Sequence, residues 1–280
     1  MQISEKVHAL KIDFQIPLAP GKMLDRFIYI YLITGRKIYL IDTGVKNSHI
    51  DIFNYINKLG RDEKEIDSIF LTHAHPDHIG SAKSIRQLTD CKIFANENEK
   101  DWIEDTDKQF RERPIPGFHE LVDGPVNIDY LFTENEIIIP EENISLKILF
   151  TPGHSDGSTS YYYEEEKILF SGDAVLLPGE LPIFTNIDKY FSSIDKIGNI
   201  SNEILLSSWD SPKKGNEIKE ILKSSSVYIK EIQQAVLKTA ATIQDTSSLA
   251  FCSAVLNELG LSKIQPNPLL LRSFQSVLNN

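Results

Sequence analysis

Apolar positions along the chain fall into short runs whose period switches between two and about 3.6, with polar turns between them. Residues 27–33 and 37–41 are apolar runs either side of Thr34-Gly35-Arg36, which predicts a β-hairpin. Residues 50–59 place Ile52, Phe53, Ile56 and Leu59 on one helical face, and Gly60 supplies a stop. A buried strand is expected over 68–71, a helix over 79–88 and a strand over 92–95. From 96 to 127, Pro114, Pro116, Gly117, Gly124 and Pro125 interrupt every pattern. This stretch is expected to be an insertion or lid, with Trp102 and Phe118 placed to cover a cleft. Strands are predicted again over 136–139, 145–150, 158–163, 167–170 and 204–207. Beyond Pro212 the pattern is helical over 217–238, 247–259 and 269–278. That change predicts an α/β domain (1–212) followed by a helical C-terminal extension (213–280).

Composition narrows the function class. The chain has 280 residues, 41% hydrophobic and 25% charged, as expected of a soluble globular protein with ample core. No apolar run approaches the roughly 18 residues a membrane helix needs. The N-terminal residues lack the apolar stretch of a secretory signal. Cys91 and Cys252 alone cannot build a disulfide framework. A cytoplasmic protein without a membrane partner is expected. Forty acidic against 29 basic residues give a formal charge of −11, and no basic cluster exceeds Lys213-Lys214. That balance argues against nucleic acid and for a small-molecule substrate.

The chemistry concentrates in Thr72-His73-Ala74-His75-Pro76-Asp77-His78, which holds three of the seven histidines and a carboxylate. A loop at the end of the 68–71 strand can turn them all inward, and imidazole with carboxylate suits zinc and similar cations. Thr151-Pro152-Gly153-His154-Ser155 and Ser171-Gly172-Asp173-Ala174 repeat the layout of apolar strand, tight turn and one ligand-type residue. Together the three segments predict a metal cluster.

His73-x-His75-x-Asp77-His78, Gly153-His154 and Gly172-Asp173 resemble the metallo-β-lactamase fold superfamily of metallohydrolases. Tyr31-Leu32-Ile33 and Leu40-Ile41-Asp42-Thr43-Gly44 resemble its opening hairpin, and the likeness covers about residues 25–210. The resemblance implies an α/β fold, a four-layer αββα sandwich with metals at the edge between two sheets. It implies that His73, His75 and His154 hold one cation, Asp77 and His78 a second, and Asp173 bridges them, while Asp42 is buried and structural. The cofactors implied are two divalent ions, zinc foremost, with iron or manganese as alternatives. The family's last histidine is missing. Its place falls on Trp209, beside Asp210. Asp210 is the expected substitute ligand; His119, from the 96–127 stretch, or an incomplete second site are the alternatives. A carboxylate there would lower the cluster's charge and shift preference from zinc toward manganese or iron.

Asp173 in place of a cysteine or serine resembles the thioesterase and lactonase branch. The implied activity is hydrolysis of a small ester, thioester or lactone by a metal-activated hydroxide, with Asp77 and Asp173 as catalytic residues; Tyr190, on the segment after Asp173, is a candidate oxyanion donor. Alternatives are a phosphodiesterase, a mononuclear-iron oxidoreductase acting on persulfides, and a weakly active ligand-binding relative. The apolar positions of the extension, among them Ile218, Leu222, Ile229 and Val236, would pack on the sandwich or in a homodimer, or else roof the active site.

Overall fold

The computed structural model describes residues 1–19 and 22–279. Two six-stranded sheets lie face to face. The first runs β1 (Val7–Ala19), β2 (Lys22–Thr34), β3 (Ile38–Ile41), β4 (Ile66–Phe70), β5 (Lys92–Ala95) and β6 (Tyr130–Leu131) in that spatial order. The second contains β7 (Ile137–Glu141), β8 (Ile144–Phe150), β9 (Thr159–Tyr163), β10 (Ile168–Gly172), β11 (Ile204–Ser207) and β12 (Lys213–Lys214), each beside its sequence neighbour. The predicted hairpin is the antiparallel β2–β3 pair. β1 is not among the predicted strands. Its alternation of Leu10, Ile12, Phe14 and Ile16 with Lys11, Asp13 and Gln15 is nonetheless the period-two signal of a strand with one face buried.

Continuous apolar runs arise because both faces of the central strands are covered. In β2, Tyr31 and Ile33 face the other sheet, whereas Ile30 and Leu32 face α1 (Ser48–Lys58) and α3 (Ala82–Thr89). In β10, Ile168 and Phe170 join the layer between the sheets, and Leu169 points outward. Beneath Leu169 lie α7 (Ile187–Gly198), α8 (Asn216–Ala240), α9 (Leu249–Glu258) and α10 (Pro268–Leu278). The result is the expected αββα layering.

The extension has no core of its own. Ile229, Ile232, Phe251 and Phe274 belong to the same apolar cluster as Leu149, Leu169 and Leu205 of the second sheet. Lys213 and Lys214 form β12 against β11, so the strand pairing crosses the boundary expected at residue 212. Among the described residues, no helix is long and apolar enough to cross a membrane.

Between β5 and β6 the chain forms α4 (Lys100–Glu104), α5 (Thr106–Glu112) and α6 (Phe118–Leu121). The sequence pattern predicts an insertion or lid here. The segment is instead built into the domain: Ile103 and Phe118 are buried in the cluster beneath the first sheet, and Gln109 is fully buried.

Candidate metal centre

The chemistry gathers where strands end. Leu71 to His78 leaves β4, His154 follows β8, Asp173 follows β10, and Trp209 follows β11. Hydrogen bonds stitch the two sheets together here. Thr159 N donates to the Thr72 carbonyl at 2.9 Å, Tyr29 N donates to the Ser208 carbonyl at 2.8 Å, and the Tyr161 hydroxyl donates to the Leu71 carbonyl.

Local sequence sets the fan of ligands. Pro76 opens the four-residue helix α2 (Pro76–Ile79) and restricts the residue before it to extended backbone, so His75 sits at φ −64° and ψ 147°. Asp77 and His78 then fall on the helical turn, facing a different way from His75. Two turns need glycine. A Cβ on Gly153, at φ +136°, would lie 2.5 Å from Tyr190 Cα; one on Gly172, at φ +52°, would lie 2.9 Å from Thr72 Cβ.

Three imidazole nitrogens face one another. His75 Nδ1 lies 2.9 Å from both His73 Nε2 and His154 Nε2. On His154 and His73 the opposite nitrogens already have partners: His154 Nδ1 donates to the Ile183 carbonyl at 3.0 Å, and His73 Nδ1 lies 3.0 Å from Thr72 Oγ1. Burial pushes His73 and His75 well below the ordinary imidazole value, with neighbouring imidazoles and Arg113 adding to it. Burial likewise brings His154 down to about 4, against the pull of Asp173. All three are therefore neutral at pH 7, with lone pairs aimed at one point.

Asp173 joins this group to a second. Its Oδ2 lies 3.3 Å from His154 Nε2 and 4.0 Å from His73 Nε2, and its Oδ1 lies 3.3 Å from His78 Nε2. His78 Nε2 and Asp173 Oδ1 are both buried without a hydrogen-bond partner among the described residues. Burial would lower the His78 imidazole, but Asp173, Asp42 and Asp77 outweigh it and hold it well above its ordinary value. Burial would raise Asp173, yet the adjacent His78 and His154 hold it well below the ordinary carboxylate range. Asp77 Oδ2 stands 3.8 Å from His78 Nε2; burial raises its carboxyl, and the charge of Asp173 adds to that. Within the described residues, His73/His75/His154 and His73/His78/Asp173 are groups whose donor atoms all lie within 4.8 Å of one another. Converging lone pairs and orphaned buried polar atoms fit divalent cations.

Supporting residues hold these rings. Asp42, buried and in the left-handed region at φ 62°, lies 2.7 Å from His78 Nδ1 and accepts from Thr72 N at 2.8 Å and Thr72 Oγ1 at 2.7 Å. Its expected buried, structural place agrees with this geometry. Glu99 has no sequence signal, being one acid in the polar run Asn96-Glu97-Asn98-Glu99. It accepts from Ala74 N at 2.8 Å, Ser155 Oγ at 2.7 Å and Gly157 N at 2.7 Å, tying the His73–His75 loop to the His154 loop. Gln109 Nε2 holds the other side of the same segment by donating to the Ala74 carbonyl at 2.6 Å.

Asp77, an expected ligand, stands beside His78 but in neither donor group, and three further expected residues are not brought in at all. Asp210 Oδ2 pairs with Lys213 at 3.0 Å, its Oδ1 accepts from Ser211 N at 2.7 Å, and it stands in neither donor group. Trp209 points inward in its place, and its Nε1 donates to Asp173 Oδ2 at 2.9 Å. An indole N–H can donate but has no lone pair for a cation. Phe14, Phe27 and the Arg26 guanidinium pack against the indole and fix it there. His119 is exposed on α6 against Phe110 and Phe118. The Tyr190 hydroxyl is buried and donates to the Asp173 carbonyl, so it is not available to an oxyanion.

A cavity of about 480 Å³ opens beside His75 and His154. Its walls come from α4, α5, the 183–185 segment and α10 of the C-terminal extension. Pro268 starts α10, and Asn267 caps it by accepting from Leu269 N and Leu270 N.

The metallo-beta-lactamase superfamily model matches residues 24–209. "Probable metallo-hydrolase YqgX" of Bacillus subtilis (strain 168) is 31% identical over 157 residues, 53% of this chain and 66% of that protein. A hydroxyacylglutathione hydrolase of Bartonella henselae is 28% identical over 151 residues, 54% of this chain and 51% of that protein. The chain thus spans between half and two thirds of these relatives' lengths. The crystal structure of a metallo-beta-lactamase family protein from Thermus thermophilus shares the fold at a TM-score of 0.73, covering 98% of this chain and 92% of that one at 19% identity.

Proposed function

Because this chain belongs to the metallo-beta-lactamase superfamily, we propose that it is a metal-dependent hydrolase of a small ester or thioester. The observation that carries the reading is the convergence of three neutral imidazoles, with His73 Nε2 and His154 Nε2 each 2.9 Å from His75 Nδ1, beside the orphaned His78 Nε2 and Asp173 Oδ1. The hydroxyacylglutathione hydrolase relative supports the thioester class.

His73, His75 and His154 would hold one cation; Asp77 and His78 would hold a second, with Asp173 reaching both groups. Bound divalent cations supply Lewis acidity and lower the pKa of the water they coordinate. The chain's own residues do the rest. Asp42 and Thr72 keep the His73 and His78 rings turned toward the centre. Asp77, whose Oδ2 stands 3.8 Å from His78 Nε2, is placed to orient the attacking water. Asp173 stays ionised and is held in place by the Trp209 N–H. The cavity of about 480 Å³ beside His75 and His154 gives a small substrate room to lie against the imidazole group. Trp209 denies the His78/Asp173 group an imidazole donor, so the reading commits to one tightly held cation and a second held more weakly.

Metal analysis of protein purified without added metal, paired with a panel of ester and thioester substrates, tests this. His75→Ala should lose tight cation binding and hydrolysis together. Full activity in that variant, or a wild-type protein that takes up no divalent cation, would refute the proposal.

A further inference from the structure

We propose that Arg113 binds a carboxylate of the substrate, so that the compound hydrolysed is an anionic ester or thioester rather than a neutral one. This rests on the hydrolase reading above for the bond cleaved, but not for the anion site itself. Arg113 follows α5 and lines the cavity that also contains His75 and His154. The residue is 9% exposed. Among the described residues its guanidinium has no hydrogen bond or ion pair; only its backbone N–H is engaged, by the Gln109 carbonyl at 2.7 Å. Burial lowers the group to about 10, which leaves it charged at neutral pH. A buried charge without a partner is costly, and a guanidinium fork matches the two oxygens of a carboxylate.

The acids around the cavity are committed elsewhere. Glu99 accepts its three hydrogen bonds, Glu112 accepts from Trp102 Nε1 at 2.6 Å, Asp101 pairs with Lys108, and Asp156 accepts from Thr185 Oγ1 at 3.2 Å and lies 4.0 Å from Lys189 Nζ. Asp77, Glu99 and Asp173 attract Arg113 electrostatically, but none of them hydrogen-bonds or ion-pairs with its guanidinium; Glu99 is held by its own three donors, and Asp77 and Asp173 are the carboxylates proposed to face the cations. Once they do, the positive charge of Arg113 is left to the cavity. Arg272 of α10 adds a second cation to the same wall, anchored by its bond to the Glu112 carbonyl. The helical extension therefore takes part in recognising the substrate.

The test compares mono(4-nitrophenyl) glutarate with neutral 4-nitrophenyl pentanoate, using the purified full chain. Wild type should prefer the anionic ester in kcat/KM. Arg113→Gln should cut that preference at least tenfold, mainly through KM, and Arg113→Lys should restore part of it. In parallel, glutarate at constant ionic strength should raise the Tm of wild type more than that of Arg113→Gln. A preference unchanged within twofold, or equal protection by glutarate in both proteins, would overturn the proposal. Loss of glutarate protection in the variant, with neither ester cleaved by wild type, would uphold the anion site and refute the hydrolase reading.

Discussion

Replacing Glu99 by glutamine should loosen the metal centre without touching a ligand. Glu99 Oε1 accepts from Ser155 Oγ and Gly157 N, both at 2.7 Å, while Oε2 accepts from Ala74 N at 2.8 Å. A glutamine carbonyl can keep the first pair, but its amide then presents N–H to the Ala74 N–H. One hydrogen bond to a charged group is lost, about 1.5–3 kcal/mol, and two buried donors oppose each other. Burial pushes the Glu99 carboxyl up and its three donors pull it part of the way back, so the ionised form depends on that cradle. The net cost should be about 2–3 kcal/mol, or a fall in Tm of about 4–12 °C for a chain of this size. Because Ala74 lies between His73 and His75, and Ser155 follows His154, both loops should relax. Cation affinity should fall about 10–100-fold. Urea denaturation and competition with a chromophoric chelator read the two effects separately. A stability within about 0.5 kcal/mol of wild type, with superimposable chelator curves, would refute the claim that Glu99 ties the ligand loops together.

Trp209→His should restore an imidazole donor beside Asp173 and raise the affinity of the second cation relative to the first; metal titration with stoichiometry by elemental analysis checks this, and an unchanged second phase would contradict it. The metal-free protein should lose stability on acidification, because the folded-state value of His154 is about 4 against an ordinary value near 6.5. The unfolded chain takes up this proton first, so the contribution is present above about pH 6.5 and is lost as pH falls to about 4. His73 and His75 act in the same direction, while His78, raised by its carboxylates, opposes them. Denaturation curves of chelator-treated protein between these pH values should show the loss, and a flat profile would contradict it.

Strand-then-ligand segments are legible in the sequence because both parts are local. An apolar run sets the strand, and the glycine at 153 or 172 marks a turn that only glycine takes at that φ with a backbone or side chain so close. Pro76 likewise sets the backbone of His75 through a steric contact with its own neighbour. The late position is legible only as a choice between adjacent residues. Whether Trp209 or Asp210 turns inward depends on Phe14, Arg26 and Phe27, nearly two hundred positions earlier, which clasp the indole, and on Lys213, which draws Asp210 away.

Glu99 and Arg113 sit in polar stretches where no periodicity distinguishes a buried charge from a solvated one. Tyr190 is expected at the reaction centre for its position after Asp173, but α7 carries its hydroxyl to the Asp173 carbonyl. The succession of strands and helices and the clustering of His73, His75, His78, His154 and Asp173 at strand ends are legible in the linear pattern, because strand period and turn chemistry act within a few residues, whereas the αββα order of the layers is implied only by the family resemblance. Which side chains support those ligands, which carboxylate is turned away and what charge faces the cavity emerge only on folding, because those outcomes depend on burial and on partners brought together from distant parts of the chain.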